Sequence, residues 1–183
     1  MSTRYSLHLR VIHWMTAVLI AVQIALALLN IALYEPRPIL AEALVQAHIS
    51  LGSLLFLLTL ARLAARWCSP APPRSNDSLL RFAGTATHAA LYGCLFALPI
   101  TGYLKLAALG FTVTPFGFVP LPPLDLNVPV AQFADQAHDL IALGLGALLV
   151  LHIAAAVFHR HLDGRRVLHR ISFGRRANEV DSS

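Results

Sequence analysis

Four long stretches of the chain are almost free of charge, and each ends in residues that stop a helix. Apolar side chains dominate residues 9–33, 42–67, 79–105 and 134–159. Each stretch exceeds the roughly 20 residues that an α-helix needs to cross a hydrocarbon core about 30 Å thick. Tyr34-Glu35-Pro36-Arg37-Pro38 separates the first two, because proline lacks a backbone donor and disfavours helix in the residue before it. Cys68-Ser69-Pro70-Ala71-Pro72-Pro73-Arg74 ends the second. Pro99 falls inside the third, where it predicts a kink. Between residues 107 and 130 lie Pro115, Pro120, Pro122, Pro123 and Pro129, interleaved with Phe111, Phe116 and Phe118. That loop is apolar enough to lie over a membrane surface and long enough to serve a function; the sequence leaves both readings open. The pattern predicts an all-α membrane protein, one domain over residues 1–183, built as a four-transmembrane-helix bundle with a tail at 160–183.

The first stretch could be mistaken for a signal peptide, since Ala25-Leu26-Ala27 resembles a cleavage site. It is longer than the apolar part of a signal peptide and opens with His13-Trp14, so it is expected to stay as a membrane helix. Composition agrees. With 57% hydrophobic and 13% charged residues, and a mean hydropathy of +0.66, the chain is too apolar for an ordinary soluble domain. The formal charge of +5 gathers at segment ends instead of covering a polar face, which argues for membrane topology and against a nucleic-acid partner. Arg4, Arg10, Arg62, Arg66, Arg74, Arg81 and the tail residues Arg160, Arg165, Arg166, Arg170, Arg175 and Arg176 fall on the side of the N-terminus; Arg37 and Lys105 fall opposite. The positive-inside rule then puts both termini in the cytoplasm, with the basic tail against anionic lipid. Cys68 and Cys94 have the spacing of neither a disulfide framework nor a zinc site.

The nine histidines need an account, because a polar ring inside a membrane helix is costly and usually faces the bundle interior with a partner. His138 and His152 lie fourteen residues apart on the fourth stretch. On a helix that spacing returns to within about 40° of the same face, about 21 Å further along. His13 matches the depth of His152, and His48 that of His138. Neutral imidazole is a good iron ligand, and two axial imidazoles leave iron no open position, which favours electron transfer. The pairs His13 with His152 and His48 with His138 therefore frame two stacked haems. Gly52, Gly144 and Gly146 offer surface without side chains for a flat macrocycle. The competing readings are histidines that only hydrogen-bond across helices and histidines that hold a transition metal in a non-redox membrane protein.

Tyr5, Ile12-His13-Trp14, His48 with Gly52 and Arg62, Pro70-x-Pro72-Pro73, His88, Ala97-Leu98-Pro99-x-Thr101-Gly102, His138 and His152 occur in the order and spacing of the bacterial cytochrome b561 family, which the chain resembles from about residue 4 to 172. The resemblance implies a four-helix inner-membrane cytochrome with two haem b groups. Its axial ligands would come from helices one, two and four, here His13, His48, His138 and His152, and it would exchange electrons with ubiquinone or another quinone. His88, which is not among the four expected ligands, could hydrogen-bond a haem propionate or a quinone oxygen, with replacement of His152 opposite His13 as the less favoured alternative. His159, with Arg66 or Arg160, sits where a quinone headgroup could meet the cytoplasmic-side haem, although a flank that snorkels to the surface is the favoured explanation. His8, His161 and His169 are read as surface residues. Proteins that this chain resembles include superoxide:ubiquinone oxidoreductases, so superoxide is one candidate donor at the periplasmic side. The few outer cations, set against Glu35, Glu42 and Asp125, do not advertise a funnel for an anion. Others serve as the membrane subunit of a larger dehydrogenase or hydrogenase, which would bring a soluble redox partner.

Overall fold

The computed structural model describes residues 6–68, 78–161 and 171. The tail beyond residue 161 apart from Ile171, as well as Tyr5, Pro70, Pro72 and Pro73, lies outside the described residues, as do the side chains of His159, Arg160 and His161. Among the described residues four helices follow one another: α1 (Leu7–Leu33), α2 (Pro38–Trp67), α3 (Ser78–Ala108) and α4 (Val128–His161), with a 3-10 turn at Pro115–Gly117. Each helix is long and apolar enough to cross a membrane. A continuous helix satisfies its own backbone groups, which hydrocarbon cannot do.

Helix boundaries follow local chemistry. α2 starts at Pro38, four residues before the apolar run, because proline in the first turn wastes no hydrogen bond and already has a helical φ. α4 starts at Val128, six residues before its expected onset at 134. Asn127 is responsible: its side-chain Oδ1 accepts from the Val130 amide at 3.2 Å, and its carbonyl accepts from Val130 and Ala131. α3 is helical straight through Pro99 and closes with paired bonds, Phe111 N–H to Leu106 and Gly110 N–H to Ala107. This ending needs a left-handed residue, which Gly110 supplies at φ 80°.

α1 packs along α2 and α3 along α4, while the seam between these two hairpins is thinner and runs mainly through α2 and α3. Phe56 and Phe96 meet edge to face on that seam at 5.7 Å between centroids. The central core is one layer to which every helix contributes a residue: Ile20, Leu55, Leu95 and Leu145. Ile20 follows His13 by seven residues, Leu55 follows His48 by seven, Leu95 follows His88 by seven, and Leu145 lies seven from both His138 and His152. Seven residues is about two turns, or about 10 Å. The apolar layer therefore divides the bundle into two histidine levels, one at the end carrying the N-terminus and one at the end carrying the long loop.

That loop folds back onto the bundle. Gln46 on α2 donates to the Thr114 carbonyl at 2.7 Å, and the Phe116 amide donates to Ser50 Oγ at 2.8 Å. Tyr103 on α3 donates its hydroxyl to the Pro122 carbonyl. Val113 and Pro115 are buried, whereas Phe111 and Phe118 face outward. Phe116 takes a left-handed φ of 58°, a strained setting for a bulky residue that the Ser50 bond helps to hold. Ser50→Ala removes that bond, with an expected loss of about 0.5–1.5 kcal/mol. Limited proteolysis in detergent should cut within residues 109–127 sooner in the variant than in the wild type; equal rates would mean that the anchor is idle.

Candidate functional site

At the loop end, His48 on α2 and His138 on α4 face each other across the hairpins, 6.3 Å between ring centroids and 66° between planes. Two imidazoles binding one metal ion from opposite sides need about 2 Å of bond each, plus about 1.1 Å from nitrogen to ring centre, or about 6 Å in all. The gap matches that span. His138 Nδ1 lies 3.0 Å from the Leu98 carbonyl and 3.1 Å from Thr101 Oγ1. A carbonyl only accepts, so Nδ1 carries the proton and Nε2 keeps its lone pair. Thr101 in turn donates its hydroxyl to the Ala97 carbonyl at 2.9 Å. Metal-binding histidines are commonly held this way, one ring nitrogen donating to a carbonyl and the other facing the metal.

Gly102 completes the contact, since a Cβ at that position would stand 3.3 Å from His138 Cε1. The run Ala97-Leu98-Pro99-x-Thr101-Gly102 thus becomes the wall behind one imidazole. Its one signal in the sequence is a threonine and a glycine side by side in an apolar helix. Across the gap, Gln23 on α1 donates to the His48 carbonyl at 3.0 Å, and its amide fills the space beside Gly52, 2.8 Å from where a Cβ would stand. Gly52 therefore makes room for Gln23, whereas Gly144 and Gly146 border open space.

At the N-terminal end, His88 and His152, on neighbouring helices of one hairpin, touch edge to face at 5.3 Å. His88 Nδ1 donates to the Gly84 carbonyl at 2.6 Å. His13 reaches this group from α1: Arg62, His152 and His88 stand within electrostatic reach of it, and its ring lies 5.6 Å from that of Trp14. Arg62 also stands 5.7 Å from the Tyr92 ring centroid, and Arg66 is within electrostatic reach of His88. His13 and His152 thus share a level, with His88 as the nearer ring partner of His152. His159 is the last residue but two of α4, and its side chain lies outside the described residues.

The residues fit a haem-binding bundle. Nδ1 of His13, Nδ1 of His48 and the Tyr92 hydroxyl are buried without a hydrogen-bond partner among the described residues. Orphans of that kind are uncommon and mark sites where something is held. Among the described residues, no three His, Cys, Asp or Glu side chains converge on a metal-sized site. Imidazoles that face in twos suit an iron whose equatorial positions a macrocycle fills better than a bare ion needing several protein ligands.

A membrane helix bundle with opposed imidazoles at two depths is the scaffold of a membrane-bound b-type cytochrome. The comparisons give the family: the model for prokaryotic cytochrome b561 matches residues 4–174, and the chain belongs to that family. It is also similar to cytochrome b561 homolog 2 of Escherichia coli (strain K12), 31% identical over 177 residues that cover 92% of this chain and 90% of the relative. A b-type cytochrome with four apolar helices is a multi-pass protein of the bacterial inner membrane that serves transmembrane electron transfer. Gly102→Leu should drive the His138 ring from its wall and lower the haem content of the purified protein, while Gly93→Ala, where an added Cβ meets nothing within 4 Å, should leave it unchanged. Equal haem in both variants would show that the ring needs no such wall.

Proposed function

We propose that the chain is a di-haem b cytochrome, with both termini in the cytoplasm, that carries single electrons between a donor at the periplasmic face and the membrane quinone pool. What supports this most is the set of imidazoles at two levels, seven residues on either side of one apolar layer. His48 and His138 would hold the haem at the periplasmic level, and His13 with His152 the one at the cytoplasmic level. Bound there, each haem would supply a reversible one-electron couple with no open coordination position for oxygen chemistry.

The chain's own part is orientation and exclusion. Leu98 and Thr101 fix the His138 ring, Gln23 fastens α1 to the His48 backbone, and the layer of Ile20, Leu55, Leu95 and Leu145 keeps water from passing between the levels. At the cytoplasmic end Arg62 and Arg66 set positive charge beside His88, suited to haem propionates or to the oxygens of ubiquinone or another quinone. At the periplasmic end Lys105 is ion-paired with Asp135, which leaves Arg37 as the other outer cation and little charge to steer superoxide. An electron donor that docks by contact, including a soluble redox partner of a dehydrogenase or hydrogenase assembly, suits that surface better than a small anion.

Adding a ubiquinol analogue to the oxidised, detergent-purified protein should reduce its haem, read from the visible absorption bands. Reduction by dithionite but by no quinol would remove the quinone pool from the account. His88→Ala should retain the wild-type haem content while slowing reduction by quinol; loss of one haem would instead put His88 among the ligands.

A further inference from the structure

We infer that Thr101 is a positioning residue that sets the redox balance of the haem at the His48–His138 level, apart from the other. The inference rests on the reading that His138 ligates iron. Its Nδ1–H is shared between two acceptors on α3, the Leu98 carbonyl at 3.0 Å and Thr101 Oγ1 at 3.1 Å. Thr101 is free to accept because its own hydroxyl proton is engaged: Oγ1 lies 2.9 Å from the Ala97 carbonyl and 3.0 Å from the Leu98 carbonyl. With Gly102 leaving the ring space, a single turn of α3 fixes the tautomer and the rotation of one imidazole.

The two levels are unlike in this respect. At the other level His13 leaves Nδ1 buried and unpartnered among the described residues, so no acceptor there draws on a proton of that ring. A hydrogen bond drawn from Nδ1–H pushes electron density toward Nε2, strengthens the bond to iron and favours the ferric state. His138 is the ring with two such acceptors, and Thr101 is the acceptor that a side-chain change can remove without touching the backbone. Valine has nearly the volume of threonine, so Thr101→Val deletes the acceptor and keeps the packing.

The test is a potentiometric titration of both haems in the full-length holoprotein, for wild type, Thr101→Val and Thr101→Ser, with haem per polypeptide measured in each and in His138→Ala. Thr101→Val is expected to keep the haem and shift the ferrous-to-ferric ratio of one haem toward ferrous by about threefold to tenfold at fixed potential, the lower edge of what such outer partners contribute. The other haem should not move, and Thr101→Ser should return the wild-type value. Two unmoved haems in Thr101→Val, two haems moved equally, or no recovery in Thr101→Ser would overturn the role of Thr101 while leaving the ligand assignment standing. Full haem retention in His138→Ala would instead remove the ligand assignment, and with it the proposal.

Discussion

A polar ring placed in hydrocarbon must give its nitrogens partners, and the arrangement of this bundle follows from that demand. Backbone groups are satisfied inside each helix, and most outward side chains are aliphatic and meet lipid on equal terms, so neither dictates how the four helices stand together. The imidazoles do. His138 finds a carbonyl and a hydroxyl on the neighbouring helix, His88 finds the carbonyl one turn before it, and His13 and His48 keep a buried nitrogen without a partner among the described residues. The unfilled demands fall at the levels where rings from different hairpins approach one another.

The hairpin construction and the single apolar layer give that pattern its geometry. Packing is tight within α1–α2 and within α3–α4, with a thinner seam between the two hairpins. The four-residue layer holds them together at the middle. Because each helix places its layer residue two turns from its histidine, the two levels lie on opposite sides of one apolar layer. A cytochrome that moves electrons across a membrane needs this combination of rigid ligands, low dielectric and a short gap.

Much of this was legible in the sequence, since it rests on patterns that a membrane makes simple. Four apolar runs longer than a bilayer is thick gave the helices, and the depth of each histidine from its helix end gave the two levels. What escaped was chemistry between elements. Pro38 lies in the stretch expected to break the first helix and Pro129 in the expected long loop, although proline in a first turn begins a helix, so α2 and α4 start earlier than the apolar runs suggest. Gly52 was read as surface for a macrocycle and serves instead as space for Gln23. The fastening of the long loop by Gln46 and Ser50, and of His138 by Thr101, joins residues 37 to 68 positions apart, a pairing that no local periodicity announces. The contact of His88 with His152 is of the same kind.

The central claim is that two imidazole levels hold two haems. Haem b per polypeptide in the purified full-length protein, from the pyridine haemochrome against protein mass, tests it most directly. The account predicts a ratio near two after expression with ample haem. A ratio near zero would contradict the cytochrome reading of the site, and a ratio that stays near one would show that one of the two levels holds no haem.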